Sequence, residues 1–184
     1  SIMAANNEIG ILQPIKEIAK LAHQYGALFH TDAAQAYAKI PMDIVEDEID
    51  LLSISGHKIY GPKGVGALYI KKGITIFPLN YGGGQERNLR PGTLPTPLCV
   101  GLGEAAHISY EEMQLESQKL IALRNKLLEL LQENLSGIII NGDLKARLPG
   151  NINISIKGVD SKPLLSSLTG IAASVGSACT SANI

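Results

Sequence analysis

The sequence has few cysteines, no excess of either charge and no long apolar run. Its two cysteines, Cys99 and Cys179, lie far apart without CxxC spacing, which argues against a disulfide scaffold or a structural zinc site. Sixteen basic residues balance 17 acidic ones, so neither a nucleic acid nor a membrane surface is predicted as a partner. No apolar stretch reaches the roughly 18 residues of a membrane span, and no secretory signal is recognisable. A soluble, cytoplasmic protein is expected.

Apolar periodicity predicts an α/β arrangement in the first half of the 184 residues. Residues 14–25 have helical spacing between Pro14 and Gly26, and short apolar runs on both sides of this helix are typical of strands. The strand–helix–strand order predicts a mostly parallel sheet with polar side chains at its strand ends. The predicted strands are 1–5, 27–32, 49–55, 65–71 and 74–79.

The second half is predicted to begin with one long helix, from about Thr96 to about Leu135, of a length typical of helices that bridge two domains. Strands over 137–141 and 151–156, a helix over 161–168 and a last strand or loop from residue 172 should follow. The predicted division is therefore residues 1–98 as part of a large domain, 99–136 as a bridging helix and 137–184 as a partial small α+β domain. Both ends resemble the interior of a longer protein, so an excised piece is expected.

The segment from Ser53 to Gly64 combines hydroxyl, imidazole and amine groups in a stretch that predicts a turn and not a helix. Lys58 follows a predicted buried strand, at the sheet edge where open α/β folds bind ligands, so it is a candidate nucleophile. A lysine in a loop is more often a solvated charge. A P-loop is not predicted, because Pro62 stands where the motif requires lysine and no hydroxyl residue follows Lys63.

Three neighbours of Lys58, namely Ser55, Gly56 and His57, can donate hydrogen bonds to an anion from a tight turn. Pyridoxal phosphate needs a lysine for its Schiff base, donors for its phosphate and an acid opposite its pyridine nitrogen. Asp32 can be that acid, since its predicted strand ends at the same edge of the sheet.

Asp32 would alone be as well explained as an N-cap of the segment that follows it. Amide side chains accompany it, however: Gln35 lies three residues further on, and Asn6 and Asn7 lie at the preceding strand end. Convergence of these polar groups favours a cofactor site.

The two thiols have different surroundings. Cys99 begins an apolar helix and is expected to be a small buried residue. Cys179 lies among small residues that favour an exposed, mobile loop, where a thiolate can form and react.

Five stretches, in order, resemble the cysteine desulfurases of the NifS and IscS type, within the aminotransferase class V group of pyridoxal phosphate enzymes. They are Asn6-Asn7-Glu8-Ile9-Gly10, His30-Thr31-Asp32-Ala33-Ala34-Gln35, Ser53 to Gly64, Arg90-Pro91-Gly92-Thr93 and Ser177-Ala178-Cys179-Thr180-Ser181. The resemblance extends over essentially the whole chain. It implies part of the large domain of the aspartate-aminotransferase-like (fold type I) architecture, with a mostly parallel sheet, plus a partial small α+β domain.

The resemblance also implies roles for residues around the cofactor. Lys58 would form the Schiff base and act as acid and base at the substrate's α-carbon, and Asp32 would pair with the pyridinium. Gln35 would reach the phenolic oxygen, and Asn7 would lie beside the ring and the substrate. The phosphate would be held by Ser55, Gly56, His57 and, from the other subunit of a homodimer, Thr93.

In this resemblance Cys179 would attack the sulfur of L-cysteine, carry it as a persulfide and leave L-alanine. Its loop resembles those of enzymes that pass sulfur to a scaffold protein for iron–sulfur cluster assembly, although another acceptor would serve. No resident metal is implied, and Cys179 would at most touch a cluster transiently during transfer.

Three family features have no counterpart here: a phosphate-binding threonine loop, a histidine stacked on the ring and an arginine for the substrate carboxylate. The 184-residue chain alone is therefore expected to bind pyridoxal phosphate weakly and to have little or no activity. A selenocysteine lyase or an aminotransferase of the same class, and a non-catalytic interaction or dimerisation module, remain alternatives.

Overall fold

The computed structural model describes residues 1–176. It contains a four-stranded sheet in the order β1-β2-β3-β4, in which β1, β2 and β3 are parallel and β4 is antiparallel to β3. The strands are β1 (Ile2–Met3), β2 (His30–Asp32), β3 (Leu51–Ser55) and β4 (Gly66–Ile70). The mostly parallel sheet predicted from the sequence is confirmed, and each strand is shorter than its predicted range.

Helix α1 (Ile15–Gln24) connects β1 to β2, as the helical spacing after Pro14 predicts. Its apolar side packs on the sheet. The buried cluster in this part of the chain contains residues from the helix, from the strands and from the loops beside them. The buried members are Ala19, Phe29, Ala33, Ile49 and Leu52. Helix α1 therefore covers one face of the sheet.

Helix α2 (Thr96–Asn134) is a single helix of 39 residues, so the predicted long helix is confirmed. It is followed by a hairpin-like pair of antiparallel strands, β5 (Ile138–Ile140) and β6 (Ile154–Ile156), and by the short helix α3 (Ser161–Ser167). Among the described residues no helix is both long and apolar enough to cross a membrane.

The chain forms two compact units. The first contains residues 1–4 and 13–115, and the second contains residues 5–12 together with the chain from Glu116 onward. The boundary therefore falls inside α2, and the segment 5–12 belongs to the second unit instead of lying with the rest of residues 1–98. Backbone bridges explain this placement, because Ile11 pairs with Arg147 and Leu148 N donates to Gly10 O at 2.8 Å.

Three local predictions are wrong, whereas the described residues 172–174 form a loop, one of the two outcomes predicted there. Residues 74–79 form no strand. The turn that contains Lys58 is a 3₁₀ helix, Gly56–Ile59. Cys99 is exposed in this chain, because its position near the start of α2 turns the thiol outward and not into the core.

Candidate functional site

Two adjacent parallel strands bring Asp32 and Lys58 to the same edge of the sheet. Asp32 is the last residue of β2 and pairs in register with Ser53 of β3. β3 ends two residues later at Ser55, and the 3₁₀ turn that contains Lys58 begins at once. The carboxyl edge of a parallel sheet is where α/β folds place ligand-binding groups, so the predicted pairing of this acid with this amine has a structural basis.

The turn of Lys58 is held by backbone hydrogen bonds around Gly56. Gly56 N donates to Val65 O at 2.9 Å, and Gly61 N donates to Gly56 O at 2.9 Å. A side chain at position 56 would crowd this arrangement, since its Cβ would lie 3.0 Å from both the carbonyl oxygen of Pro62 and Cγ1 of Val65. Glycine at position 56 therefore lets the turn form without displacing these neighbours, and the turn presents Lys58 half-buried.

A hydroxyl and an imidazole lie side by side next to Lys58. Ser55 Oγ is 2.9 Å from His57 Nδ1, and the His57 side chain is exposed. These groups and the first amides of the turn are hydrogen-bond donors of the kind that bind a phosphate. The structure thus brings together Ser55, Gly56, His57 and Lys58, as their adjacency in sequence predicts.

Asp32 is exposed, and its carboxylate stabilises the turn that follows β2. Its Oδ1 accepts a hydrogen bond from Ala34 N at 2.9 Å. The capping role considered for this residue is therefore present, and it does not exclude a ligand, because a carboxylate has several lone pairs to offer. Gln35, one turn further on, accepts a hydrogen bond from Lys39 Nζ at 3.2 Å through Oε1. That contact leaves its NH₂ group as the donor for another partner.

The remaining predicted site residues are not brought to this edge by any contact in the described residues. Asn7 is exposed and belongs to the second unit, where its neighbour Asn6 caps a turn by accepting from Glu8 N and Ile9 N. Thr93 is exposed in the segment that precedes α2. Cys179 lies outside the described residues, so its proposed role is not tested by this structure.

Sequence reasoning missed a polar pair just below Asp32. His30 Nε2 lies 3.2 Å from Ser53 Oγ, and His30 Nδ1 lies 2.6 Å from Ser1 Oγ. The available signal was the spacing, because His30 precedes Asp32 by two positions and Ser53 precedes Ser55 by two, which places each pair on one side of its strand.

The opposite, amino-terminal edge of the sheet has an ionic cluster around the buried Asp50. Asp50 Oδ2 accepts from Phe29 N at 2.9 Å and lies 2.7 Å from His23 Nε2, while Asp50 Oδ1 lies 3.3 Å from Lys71 Nζ. Burial opposes ionisation of Asp50, but these hydrogen bonds outweigh it and lower the pKa of the carboxyl group. The hydrogen bond with Asp50, assisted by Glu48, raises the pKa of His23. This cluster is structural and lies at the edge of the sheet opposite to the Lys58 turn.

Comparison with known proteins gives a consistent result. The family model for class-V aminotransferases matches residues 1–184. The chain is 50% identical over 186 residues to a protein from Rickettsia bellii named cysteine desulfurase IscS, and 49% identical over 187 residues to one of that name from Ehrlichia chaffeensis. All of this chain is covered in both cases, but it spans 45% and 46% of those relatives.

Solved structures agree with the sequence relatives. A NifS-like protein from Rickettsia africae superposes with a TM-score of 0.85 and 35% identity, over 89% of this chain and 45% of that one. DndA from Streptomyces lividans gives a TM-score of 0.80 and 42% identity, over 89% and 47% of the respective chains. These likenesses confirm the predicted fold class, a fold type I arrangement with a mostly parallel sheet. The family match over the full length identifies this chain as a member of the class-V aminotransferases.

Proposed function

We propose that the protein to which this chain belongs is a pyridoxal phosphate-dependent cysteine desulfurase. The observation that carries the proposal is the position of Asp32 and Lys58 at the carboxyl ends of adjacent parallel strands, with Ser55 and His57 beside the lysine. The names of the relatives from Rickettsia bellii and Ehrlichia chaffeensis support the same reaction.

The side chains at this edge fit pyridoxal phosphate in chemical type. Ser55, Gly56 and His57 supply hydrogen-bond donors for the phosphate, Lys58 supplies a primary amine for the aldehyde carbon, and Asp32 supplies a carboxylate for the ring nitrogen. Gln35 would donate to the phenolic oxygen, through the NH₂ group that its contact with Lys39 leaves over. When bound, the cofactor supplies an electron sink for the substrate's α-carbon.

Lys58 has the central task among these residues. Its Nζ would hold the cofactor and then accept and return a proton at the α-carbon of L-cysteine, which requires the amine to lie in a sheltered position beside that carbon. The half-buried location of Lys58 agrees with that task. Asp32 would keep the ring nitrogen protonated by pairing with it, as a fixed carboxylate does. Asn7 would lie beside the ring and the substrate.

Cys179 would perform the sulfur step. Its thiolate attacks the substrate's sulfur, a sulfur–sulfur bond forms, and the carbon–sulfur bond breaks. The electron pair of the broken bond stays with carbon, which takes up a proton and leaves as L-alanine. The persulfide on Cys179 then passes its outer sulfur to an acceptor, which we propose is an iron–sulfur scaffold protein or another thiol-bearing protein.

We further propose a homodimer in which Thr93 of each subunit contacts the phosphate bound by the other. The first compact unit would then be part of the large domain and the second would include part of the small domain, with α2 shared between them. The cytoplasmic location stays a prediction.

The experiment uses the full-length protein supplied with pyridoxal phosphate and L-cysteine, and measures the bound-cofactor absorbance and the L-alanine formed. The Lys58→Ala variant should lose both signals. Lys63→Ala is the matched control, because Lys63 is an exposed lysine of the same loop and should change neither.

Cys179→Ser should keep the cofactor absorbance and lose alanine formation from L-cysteine. Alanine formation that survives this change would favour a selenocysteine lyase, which needs no mobile cysteine. Amino-group transfer in place of alanine formation would favour an aminotransferase, and absence of cofactor binding by the unchanged protein would favour a non-catalytic module.

A further inference from the structure

A hydrogen-bonded side-chain pair joins β2 to β3 directly beneath the candidate site. His30 Nε2 and Ser53 Oγ are 3.2 Å apart, and both residues are half-buried. The other ring nitrogen, Nδ1, is 2.6 Å from Ser1 Oγ, just before β1. The imidazole therefore has a partner on each side and spans the first three strands of the sheet.

The position of this pair along the strands links it to both reactive groups. His30 is two residues before Asp32 on β2, so the two side chains lie on the same face of the sheet. Ser53 is the register partner of Asp32 and lies two residues before Ser55, where the turn of Lys58 begins. The pair therefore lies two residues along the strands from the carboxyl edge of the sheet, which carries Asp32 and Lys58.

A polar pair at this place needs an explanation other than stability. Two neighbours on the same face are apolar, because Leu51 lies two residues from Ser53 and Leu68 pairs with Ser53 across the sheet, while the polar Asp32 and Ser55 lie toward the carboxyl edge. An apolar pair at positions 30 and 53 would continue that surface and avoid the cost of desolvating an imidazole and a hydroxyl. Half-buried polar pairs of this kind contribute geometric definition, because their hydrogen bond is satisfied in one arrangement only.

We propose that His30 and Ser53 are positioning residues, which fix the distance from Asp32 to the Lys58 turn by tying β2 to β3. The inference rests on the proposed function, because it concerns how the carboxylate is aimed at the cofactor's ring nitrogen. The residues act through Asp32 and do not touch the cofactor themselves. Backbone hydrogen bonds pair β2 with β3. The His30–Ser53 hydrogen bond additionally restricts the movement of the last register pair, Asp32 and Ser53.

The test is equilibrium titration of the full-length protein with pyridoxal phosphate, together with the absorbance spectrum of the bound cofactor and thermal unfolding of the cofactor-free protein. Ser53→Ala and His30→Phe should each weaken binding by about two- to tenfold, the range expected for one lost hydrogen bond, and should alter the bound-cofactor spectrum. The double variant should be no weaker than the worse single variant, because both changes remove the same tie.

Two variants separate positioning from simple stability. Ser53→Thr keeps the hydroxyl and should restore both affinity and spectrum. Thr31→Val removes a hydroxyl from β2, the strand of His30, on the opposite face of the sheet, where Thr31 Oγ1 donates to Ile2 O at 3.0 Å. This variant should lower the melting temperature and leave the cofactor signals unchanged.

The inference is overturned if Ser53→Ala and His30→Phe bind pyridoxal phosphate with unchanged affinity and spectrum. It is also overturned if affinity falls in proportion to the melting temperature across all variants, Thr31→Val included. Failure of the unchanged protein to bind the cofactor overturns the proposed function itself, which distinguishes the two results.

Discussion

The buried carboxylate of Asp50 offers a quantitative test of what holds the sheet together. Its side chain is 5% exposed and has three partners: the amide of Phe29 at 2.9 Å, the ring of His23 at 2.7 Å and the ammonium of Lys71 at 3.3 Å. These partners come from α1, from the start of β2 and from the end of β4. The carboxylate therefore links α1, β2 and β4 at the amino-terminal edge of the sheet.

The magnitude follows from what each substitution leaves behind. Asp50→Ala strips a buried amide of its acceptor and leaves His23 without its closest partner, so the free energy of unfolding should fall by about 3–5 kcal/mol. Lys71 is 52% exposed, so its share of that loss should be at most about 1 kcal/mol. Asp50→Asn keeps an oxygen for the amide of Phe29 and keeps the side-chain volume, so it should cost only about 1–3 kcal/mol.

The pH dependence has a defined sign. The folded-state pKa of His23 is raised above 6.5, so its contribution is fully present below pH 6.5 and is lost as the pH rises through the raised value. The folded-state pKa of Asp50 is lowered below 3.8, so its contribution is present above pH 3.8 and is lost as the pH falls through the lowered value. The cluster should therefore stabilise the fold most between these two ordinary values.

Urea unfolding of the unchanged protein, Asp50→Ala and Asp50→Asn, at a series of pH values, measures both effects. The difference between the unchanged protein and Asp50→Asn should be largest at mildly acidic pH and should shrink above neutrality. A loss below about 1 kcal/mol for Asp50→Ala would refute the argument from burial. A difference that stays constant from mildly acidic to alkaline pH would refute the role given to His23.

Three further outcomes are expected. Glu46→Gln breaks the exposed 2.8 Å pair with Lys16 and should lower the urea midpoint only slightly, with the difference fading in high salt; a large, salt-independent loss would contradict it. Gly56→Ala should weaken pyridoxal phosphate binding and cost about 1–3 kcal/mol, because the new methyl group meets the Pro62 carbonyl at 3.0 Å; unchanged binding and stability would contradict that crowding. Arg147→Met should destabilise the second unit by about 1–3 kcal/mol in thermal unfolding, since the buried guanidinium donates to two backbone carbonyls; an unchanged melting temperature would contradict this.

The sequence was sufficient to predict the sheet edge around Lys58. A short apolar run that ends at Gly56 predicts a buried strand followed by a turn, and the helix between the first two strands predicts that the strand of Asp32 runs parallel to β1. The order of these elements decides which side chains meet, and order is directly visible in a sequence.

Long-range side-chain pairs were not predictable in the same way. The contacts His30–Ser53 and His23–Asp50 join residues 23 and 27 positions apart. Such contacts depend on the register between strands, because a shift of one residue moves the side chains of a strand to the other face of the sheet. In segment 74–79 the sequence predicts a strand that the structure does not contain. Its β-branched residues favour a strand only where a neighbouring strand offers a partner, and Pro78 removes a donor.

The exposure of Cys99 shows a third limit. A cysteine within an apolar helical stretch is buried or exposed according to which side of the helix meets a neighbour, and α2 has apolar residues on several sides. The described residues therefore include an exposed thiol in α2, Cys99. The role proposed for Cys179 rests on its position in sequence among small residues.

Locating the transferred sulfur within the full-length protein tests the central claim most directly. After reaction with L-cysteine in the presence of pyridoxal phosphate, peptide mass spectrometry should find one added sulfur atom on the peptide of Cys179, in the unchanged protein and in Lys63→Ala. The Lys58→Ala variant should show none. Sulfur found on Cys99 instead, or on Cys179 in the Lys58→Ala variant, would contradict a mechanism in which Lys58 enables transfer to Cys179.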